Sequence, residues 1–437
     1  MTAEIAPPRL SDAPVTRTLG NGLVLHAVEA RHAPVVSVWV WYQVGGRNEV
    51  PGTTGMSHFL EHMLFKGTPA HPKGDLDRLL ARYGAVWNAF TSEDVTCYFE
   101  TVPRERYPTA LELEADRMHH ALISPEETEA ERTVIVSERE GYENDPSFLL
   151  GEELQAVAFS RHPYGQGVIG SKEEILLMPR DALYEHYRRF YAPSNAYVVL
   201  VGDDDARSML DHAEAAFAGL EAGAPASPLR APEPAQHGER RVVVRRAGGA
   251  VPLVQVAFKS VSASDPLTPA LQGVAVALGG SSGGSREAAS GRSSRLYRAL
   301  VGAGLATEVE ASAGLNKDPY LFQVEATLRP GGDHRAVEAR ILEELDRLAG
   351  EEMSEEEFAR VRKQLLAANA FPSDTVTGRA FRLGQLLSTG AAPSIGDWYA
   401  RLSDVTSAEV RRAAAATFEE LSRTVGWFVP VPSEPAA

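Results

Sequence analysis

Within the 437 residues, the stretch His58-Phe59-Leu60-Glu61-His62 has the residue types and spacing to do chemistry. On a helix, residues three and four apart share a face, so His58, Glu61 and His62 project to one side, with the two imidazoles about one turn apart. That arrangement suits a single cation. Catalytic zinc takes three protein ligands and keeps a fourth position for a water, whose pKa falls to roughly 7. Two histidines therefore leave one ligand to be supplied from elsewhere. Glu61, between them on the same face, is placed to act as general base on that water while the zinc polarises a scissile carbonyl. The plain alternative is a surface helix with a chance pair of histidines. His119-His120 is the other histidine cluster, and adjacent positions on a helix point apart, so it reads as core or surface.

The surrounding pattern places this motif inside a helix. Gly52-Thr53-Thr54 supplies N-cap chemistry, Met56 to Phe65 has helical apolar spacing, and Gly67-Thr68-Pro69 is a stop signal. Before it, residues 15 to 50 alternate as strands around the turn Gly20-Asn21-Gly22, with runs at Leu23–Val28 and Val35–Trp41, so a hairpin opens the fold. After it come a helix from Asp75 to Tyr83, strand-forming residues from Val86 to Val102, helices from Tyr107 to Ile123 and from Pro125 to Tyr142, and an apolar strand at Tyr197–Gly202.

The second half repeats this order. Tyr320–Val324 and the helix His334–Leu348 echo Val95–Glu100 and the helix Tyr107–Ile123. Ser354-Glu355-Glu356-Glu357 echoes Ser124-Pro125-Glu126-Glu127. Val405–Phe418 followed by Val425–Val429 echoes Pro179–Tyr191 followed by Tyr197–Val201. The pattern predicts an α+β protein of two repeated α/β domains, each a mostly antiparallel sheet covered by helices. The first is placed at 1–220 and the second at 240–437, joined by an Ala/Pro/Gly-rich linker at 221–239. The histidine motif occurs in the first copy alone.

Composition excludes several function classes. With 44% hydrophobic and 23% charged residues, the chain is globular, and no run approaches the ~20 apolar residues needed to span a bilayer. The balance of 43 basic against 59 acidic side chains, net −16, argues against nucleic acid and anionic membrane as partners. The single cysteine, Cys97, rules out an intramolecular disulfide and a cysteine zinc site. With no secretory pattern at Met1–Leu10, cytoplasm is expected, or periplasm if the sequence is a trimmed mature form. The Gly/Ser-rich stretch 279–294 lacks the Gly-Lys-Ser/Thr ending of a phosphate loop and reads as a mobile element, with a simple surface insertion as the alternative.

The order His-x-x-Glu-His resembles the inverzincin signature of the pitrilysin/insulinase peptidases. The resemblance extends through Gly55, Phe65-Lys66-Gly67-Thr68, Asn88-Ala89-Phe90-Thr91-Ser92 and the repeated two-domain plan, and so covers essentially the whole chain. It implies one Zn2+ per chain, with a glutamate on a later helix as third ligand. In Val134-Ile135-Val136-Ser137-Glu138-Arg139-Glu140, that is Glu138; Glu140 lies about 200° around the helix and faces away. It also implies a supporting role for Glu131, two turns before Glu138, as a carboxylate that orients a ligand or the water. A substrate peptide is expected to add as a strand beside Asn88, Ala89 and Phe90.

Family members also carry, in the second domain, an arginine and a tyrosine that grip the substrate carbonyl, in a frame ending Gly-Leu-Ala-Tyr. Here Gly304-Leu305-Ala306 is kept, but Val301 and Thr307 stand where arginine and tyrosine are expected, and neither replaces them chemically. The resemblance therefore implies a dimer enclosing a chamber. A heterodimer with a related subunit that supplies the missing pair is the first choice, and a homodimer the second. The expected function is zinc-dependent endopeptidase action on short or unfolded peptides. The alternative is a non-catalytic core subunit of a larger complex, such as the respiratory-complex subunits that share this fold.

Overall fold

The computed structural model describes residues 13–224, 229, 231–247, 251–279 and 292–431. Strands β1 Val15–Thr18, β2 Val24–Glu29, β3 Val35–Tyr42, β4 Val86–Thr91, β5 Thr96–Pro103 and β6 Ala196–Gly202 form one sheet. Strands β7 Arg240–Ala247, β8 Leu253–Lys259, β9 Ala306–Ala313, β10 Leu321–Leu328 and β11 Arg423–Val431 form another. The helices of the first half are α1 Met56–Met63, α2 Asp75–Tyr83, α3 Tyr107–His120, α4 Pro125–Tyr142, α5 Pro146–Ala158, α6 Lys172–Leu177, α7 Arg180–Phe190 and α8 Ala206–Phe217. Those of the second half are α9 Thr268–Leu278, α10 His334–Gly350, α11 Glu355–Ala370, α12 Val376–Thr389, α13 Ile395–Ser403 and α14 Ser407–Thr417. None of the described helices is long and apolar enough to cross a membrane.

The first sheet has the order β1-β2-β6-β3-β5-β4. The opening hairpin is β1–β2, with Leu19 and Leu23 closing the turn. The two apolar runs read from the sequence, β2 and β3, are not neighbours: β6 enters between them, parallel to β2 and antiparallel to β3. All seven β6 residues are buried, the signature of a strand covered on both faces, and such a strand belongs in the middle of a sheet. Helices α1, α3 and α8 pack on one face, and α12 packs against β3 and β6. The α12 contact requires glycine. A Cβ on Gly384 would sit 2.2 Å from the Trp41 ring, and the Tyr197 hydroxyl donates to the Gly384 carbonyl at 2.8 Å.

The second sheet repeats the plan in the order β7-β11-β8-β10-β9, with β7 parallel to β11 as β2 is to β6. Its core includes Leu150, Leu154, Ala158 and Phe159, which come from α5 and its end and pack against Leu253, Ala257 and Phe428.

The compact units are not simply the two halves of the chain. One comprises Met1–Arg139, Gln166–Arg230 and Pro372–Asp397; the other comprises Glu140–Gly165, Ala231–Phe371 and Trp398–Ala437. The change at Arg230/Ala231 falls within the linker placed at 221–239. In addition, α5 of the first half packs on the second sheet, and α12 of the second half on the first. Residues 280–291 of the Gly/Ser-rich stretch lie outside the described residues.

Candidate metal centre

Helix α1 is anchored at its start by a carboxylate. Gly55 turns the chain at φ 84°, and a Cβ there would meet the Ile169 carbonyl oxygen at 2.3 Å. Buried Glu49 accepts the backbone N–H groups of Gly55 at 2.7 Å and Ser57 at 2.6 Å, which the first turn of the helix would otherwise leave without partners. Burial pushes the Glu49 carboxyl up to about 7, against the pull of these hydrogen bonds. The helix buries Met56, Phe59, Leu60 and Met63, which turns the half-buried His58, Glu61 and His62 away from that apolar face.

The structure brings the expected ligands together. His58 Nε2 lies 3.7 Å and His62 Nε2 3.4 Å from Glu138 Oε2, and one ligand atom from each of the three residues falls within 4.8 Å of the others. Among the described residues this is the one group with such metal-binding geometry. Glu131, on the same helix as Glu138, accepts a hydrogen bond from His62 Nδ1 at 2.9 Å, which turns Nε2 toward Glu138. Its other oxygen is 2.5 Å from Lys66 Nζ.

Electrostatics separates the two imidazoles. Burial, reinforced by His62, lowers the His58 pKa to about 4, so its ring is neutral at pH 7. Burial alone would lower His62 as well, but hydrogen bonds to Glu131 and Glu138 and the nearby Glu61 charge outweigh it and raise the pKa to about 9. Hydrogen bonds to His62 and Lys66 hold the Glu131 pKa below its ordinary value despite the opposing effect of burial. Two imidazole nitrogens and one carboxylate oxygen, converging from two helices, fit a catalytic zinc set with one position left open. A cation held there would take the place of the His62 proton.

Glu61 shares this face and its pKa is raised, chiefly by burial. The Thr91 hydroxyl donates to Glu61 Oε2 at 2.7 Å. Thr91 belongs to β4, the edge strand of the sheet, and strand alternation sorts the residues expected to meet a substrate. Ala89 is on the same face as Thr91, and pairs with Tyr98, whose hydroxyl donates to the carbonyls of Leu60 and Glu61. Phe90 is on the other face, its ring centroid 5.6 Å from that of Trp41 and 5.9 Å from that of Phe381. Asn88 is also on that face, and its side-chain oxygen accepts the Ala89 N–H at 2.9 Å. Of the three residues, Ala89 alone thus shares the face of Glu61. Thr91 and Lys66 were not singled out by sequence reasoning, although each lay inside a quoted motif. A two-residue period counted forward from Ala89 would have found the former.

In the other unit, Thr307 is exposed in β9 and its hydroxyl donates to the Thr327 carbonyl, while Val301 ends the turn Tyr297–Val301.

Comparison with known proteins agrees with this architecture. Residues 25–172 match the family described as insulinase (peptidase family M16), and residues 178–365 match the peptidase M16 inactive domain. The chain is 28% identical over 408 residues to an uncharacterized zinc protease of Streptomyces coelicolor, covering 91% of this chain and 85% of that one. It is 27% identical to the zinc protease PqqE of Helicobacter pylori, covering 94% and 92%. The crystal structure of a protease from Helicobacter pylori superposes with a TM-score of 0.89 at 26% identity, covering 97% of this chain and all of that one. With both family domains matched in order and a neighbour of the same fold along its whole length, the chain belongs to the peptidase M16 (insulinase) family, as a two-domain member.

Proposed function

We propose that the chain is a zinc-dependent endopeptidase that hydrolyses short or unfolded peptides, with His58, His62 and Glu138 as ligands and Glu61 as general base. What carries this is the convergence of His58 Nε2, His62 Nε2 and the Glu138 carboxylate beside a buried Glu61 held by Thr91. The names of the relatives, zinc proteases, support the same chemistry.

His58, His62 and Glu138 would hold the zinc, which would supply Lewis acidity toward a water and the peptide carbonyl. The rest is done by the chain. Glu61 Oε2 is occupied by the Thr91 hydroxyl, so Oε1 takes the water proton as oxygen attacks the carbonyl carbon, and hands it to the departing amine nitrogen. The outer edge of β4, unpaired among the described residues, lays the substrate backbone alongside Ala89 and so beside Glu61. The oxyanion partner is supplied by a related subunit in a heterodimer, since Val301 and Thr307 offer no arginine or phenol.

Substituting Glu61→Gln tests the base: zinc content by metal analysis is retained and cleavage of a quenched fluorescent peptide library is abolished. Unchanged hydrolysis excludes Glu61. Mixing the chain with a related subunit that carries the arginine/tyrosine pair raises activity on co-elution in gel filtration; full activity of the isolated chain rejects the heterodimer.

A further inference from the structure

Strand β7 runs along the edge of the second sheet, and among the described residues β11 is its one strand neighbour. Its counterpart in the first sheet, β2, is not an edge, because β1 pairs antiparallel along its outer side. The chain leading into β7 is diverted from the equivalent place. Pro232 and Pro234 break it, and the Glu233 carboxylate between them is tied to the backbone N–H groups of Ser160, Arg161 and His162 at 2.9–3.0 Å.

The vacant edge has a definite chemistry. Val242 and Val244 pack inward on the core around Leu150, so Arg241, Val243 and Arg245 face the other way. Val243 is 48% exposed. Beside it is a cavity of about 490 Å³ lined by Arg241, Val243, Arg335, Glu338, Leu342 and Trp427. Arg240, Arg241, Arg245 and Arg246 give this strand four positive charges in a chain of net −16. Glu338 is engaged by Arg241 and by Trp427 Nε1, at 2.5 and 2.9 Å, which leaves the exposed Arg245 and Arg335 without an ion-pair partner among the described residues. Charged residues alone serve to blunt a sheet edge against aggregation. Blunting calls for neither an exposed valine at mid-strand nor a cleft beside it.

We propose that β7 accepts an extended acidic segment of a partner polypeptide as a sixth strand, antiparallel as β1 lies on β2. Acidic residues of the segment pair across from Arg241 and Arg245, and the aliphatic residue between them sits over Val243 and enters the cavity. The site is independent of the zinc reading, since β7 and the His58–His62–Glu138 group belong to different compact units.

The test uses the full chain carrying Glu61→Gln, so that the probe is not cut, and a short fluorescent peptide containing Glu-Thr-Val-Thr-Glu, which presents two glutamates and the valine between them on one face of a strand. Anisotropy shows saturable binding that weakens with salt, and hydrogen exchange slows over residues 240–247. Charge reversal by Arg245→Glu with Arg335→Glu weakens binding about tenfold, through the lost cross-strand ion pair at Arg245 and the lost attraction of Arg335 on α10 beside the cleft. Filling the cleft from its exposed rim with Ala339→Trp weakens it without touching a charge. Equal binding of the same peptide with lysine in place of glutamate, slowed exchange confined to residues 86–91, or unchanged binding by both variants overturns the proposal.

Discussion

Replacing Thr91 by valine removes one hydroxyl from beside the proposed base while keeping the side chain's shape. The bond at stake, Thr91 Oγ1 to Glu61 Oε2 at 2.7 Å, is a neutral donor to a buried carboxylate. Such bonds contribute about 1.5–3 kcal/mol, more than enough to select one orientation of a glutamate with three torsions. Two effects oppose each other in the variant. The hydroxyl stabilises the charged form, so its loss makes Glu61 a stronger base; it also frees the carboxylate from the position in which Oε1 meets the water. Brønsted behaviour returns only part of a gain in basicity to the rate, whereas mispositioning reduces it in full. The net expectation is a fall in kcat of about tenfold, corresponding to about 1.4 kcal/mol, with KM little changed. Thr91→Ser, which restores the hydroxyl, recovers most of the loss. The assay is steady-state cleavage of a quenched fluorescent peptide, with bound zinc and thermal midpoint measured on the same samples. An unchanged kcat in Thr91→Val, or a serine variant as slow as the valine one at equal zinc content, refutes the positioning role.

Other expectations follow from the same contacts. Glu131→Ala leaves His62 Nδ1 and Lys66 without their shared carboxylate, and zinc affinity in a chelator competition falls about 10–100-fold; an unchanged affinity argues against an orienting role. Gly384→Ala drives a Cβ into the Trp41 ring and lowers stability to denaturant by about 1–3 kcal/mol, and an unaltered midpoint means that α12 shifts freely. For Glu233, burial alone would raise the pKa, but the N–H groups of residues 160–162 hold it at about 2, below its ordinary 4.5. Its stabilising contribution is therefore full above about 4.5 and lost as pH falls from there toward about 2. Glu233→Gln accordingly lowers the thermal midpoint at pH 7, and the gap to the parent narrows through that window; a constant gap contradicts the depressed pKa.

The parts of this site that a reader of the sequence can see are those carried by local spacing. His58, Glu61 and His62 are one helical turn, and the start of α4 at Pro125 and its end at Tyr142 are set by local signals; period places Glu131 and Glu138 on one face of that helix, while their roles were implied by the family resemblance. Thr91 escaped because a motif quoted as a block conceals the two faces of a strand: Phe90 was grouped with Ala89, and it points to the other side. The sheet order was out of reach for a different reason. That β6 separates β2 from β3 depends on pairing across more than a hundred residues, and nothing in β2 or β3 itself specifies its neighbour. The placement of α5 and α12 on the sheets of the opposite halves is likewise a choice among apolar surfaces that look equivalent in sequence.

That placement gives the chain a schedule. When β6 leaves the ribosome, all six strands of the first sheet have been made, but the face carrying Trp41 and Phe90 must wait for α12, whose residues 376–389 follow the end of β6 at Gly202 by well over a hundred positions. At ~5–20 residues per second the delay is on the order of ten seconds or more. Throughout it an aromatic surface stands open, a ready target for a chaperone. The first sheet is thus completed by a helix translated long after its own strands.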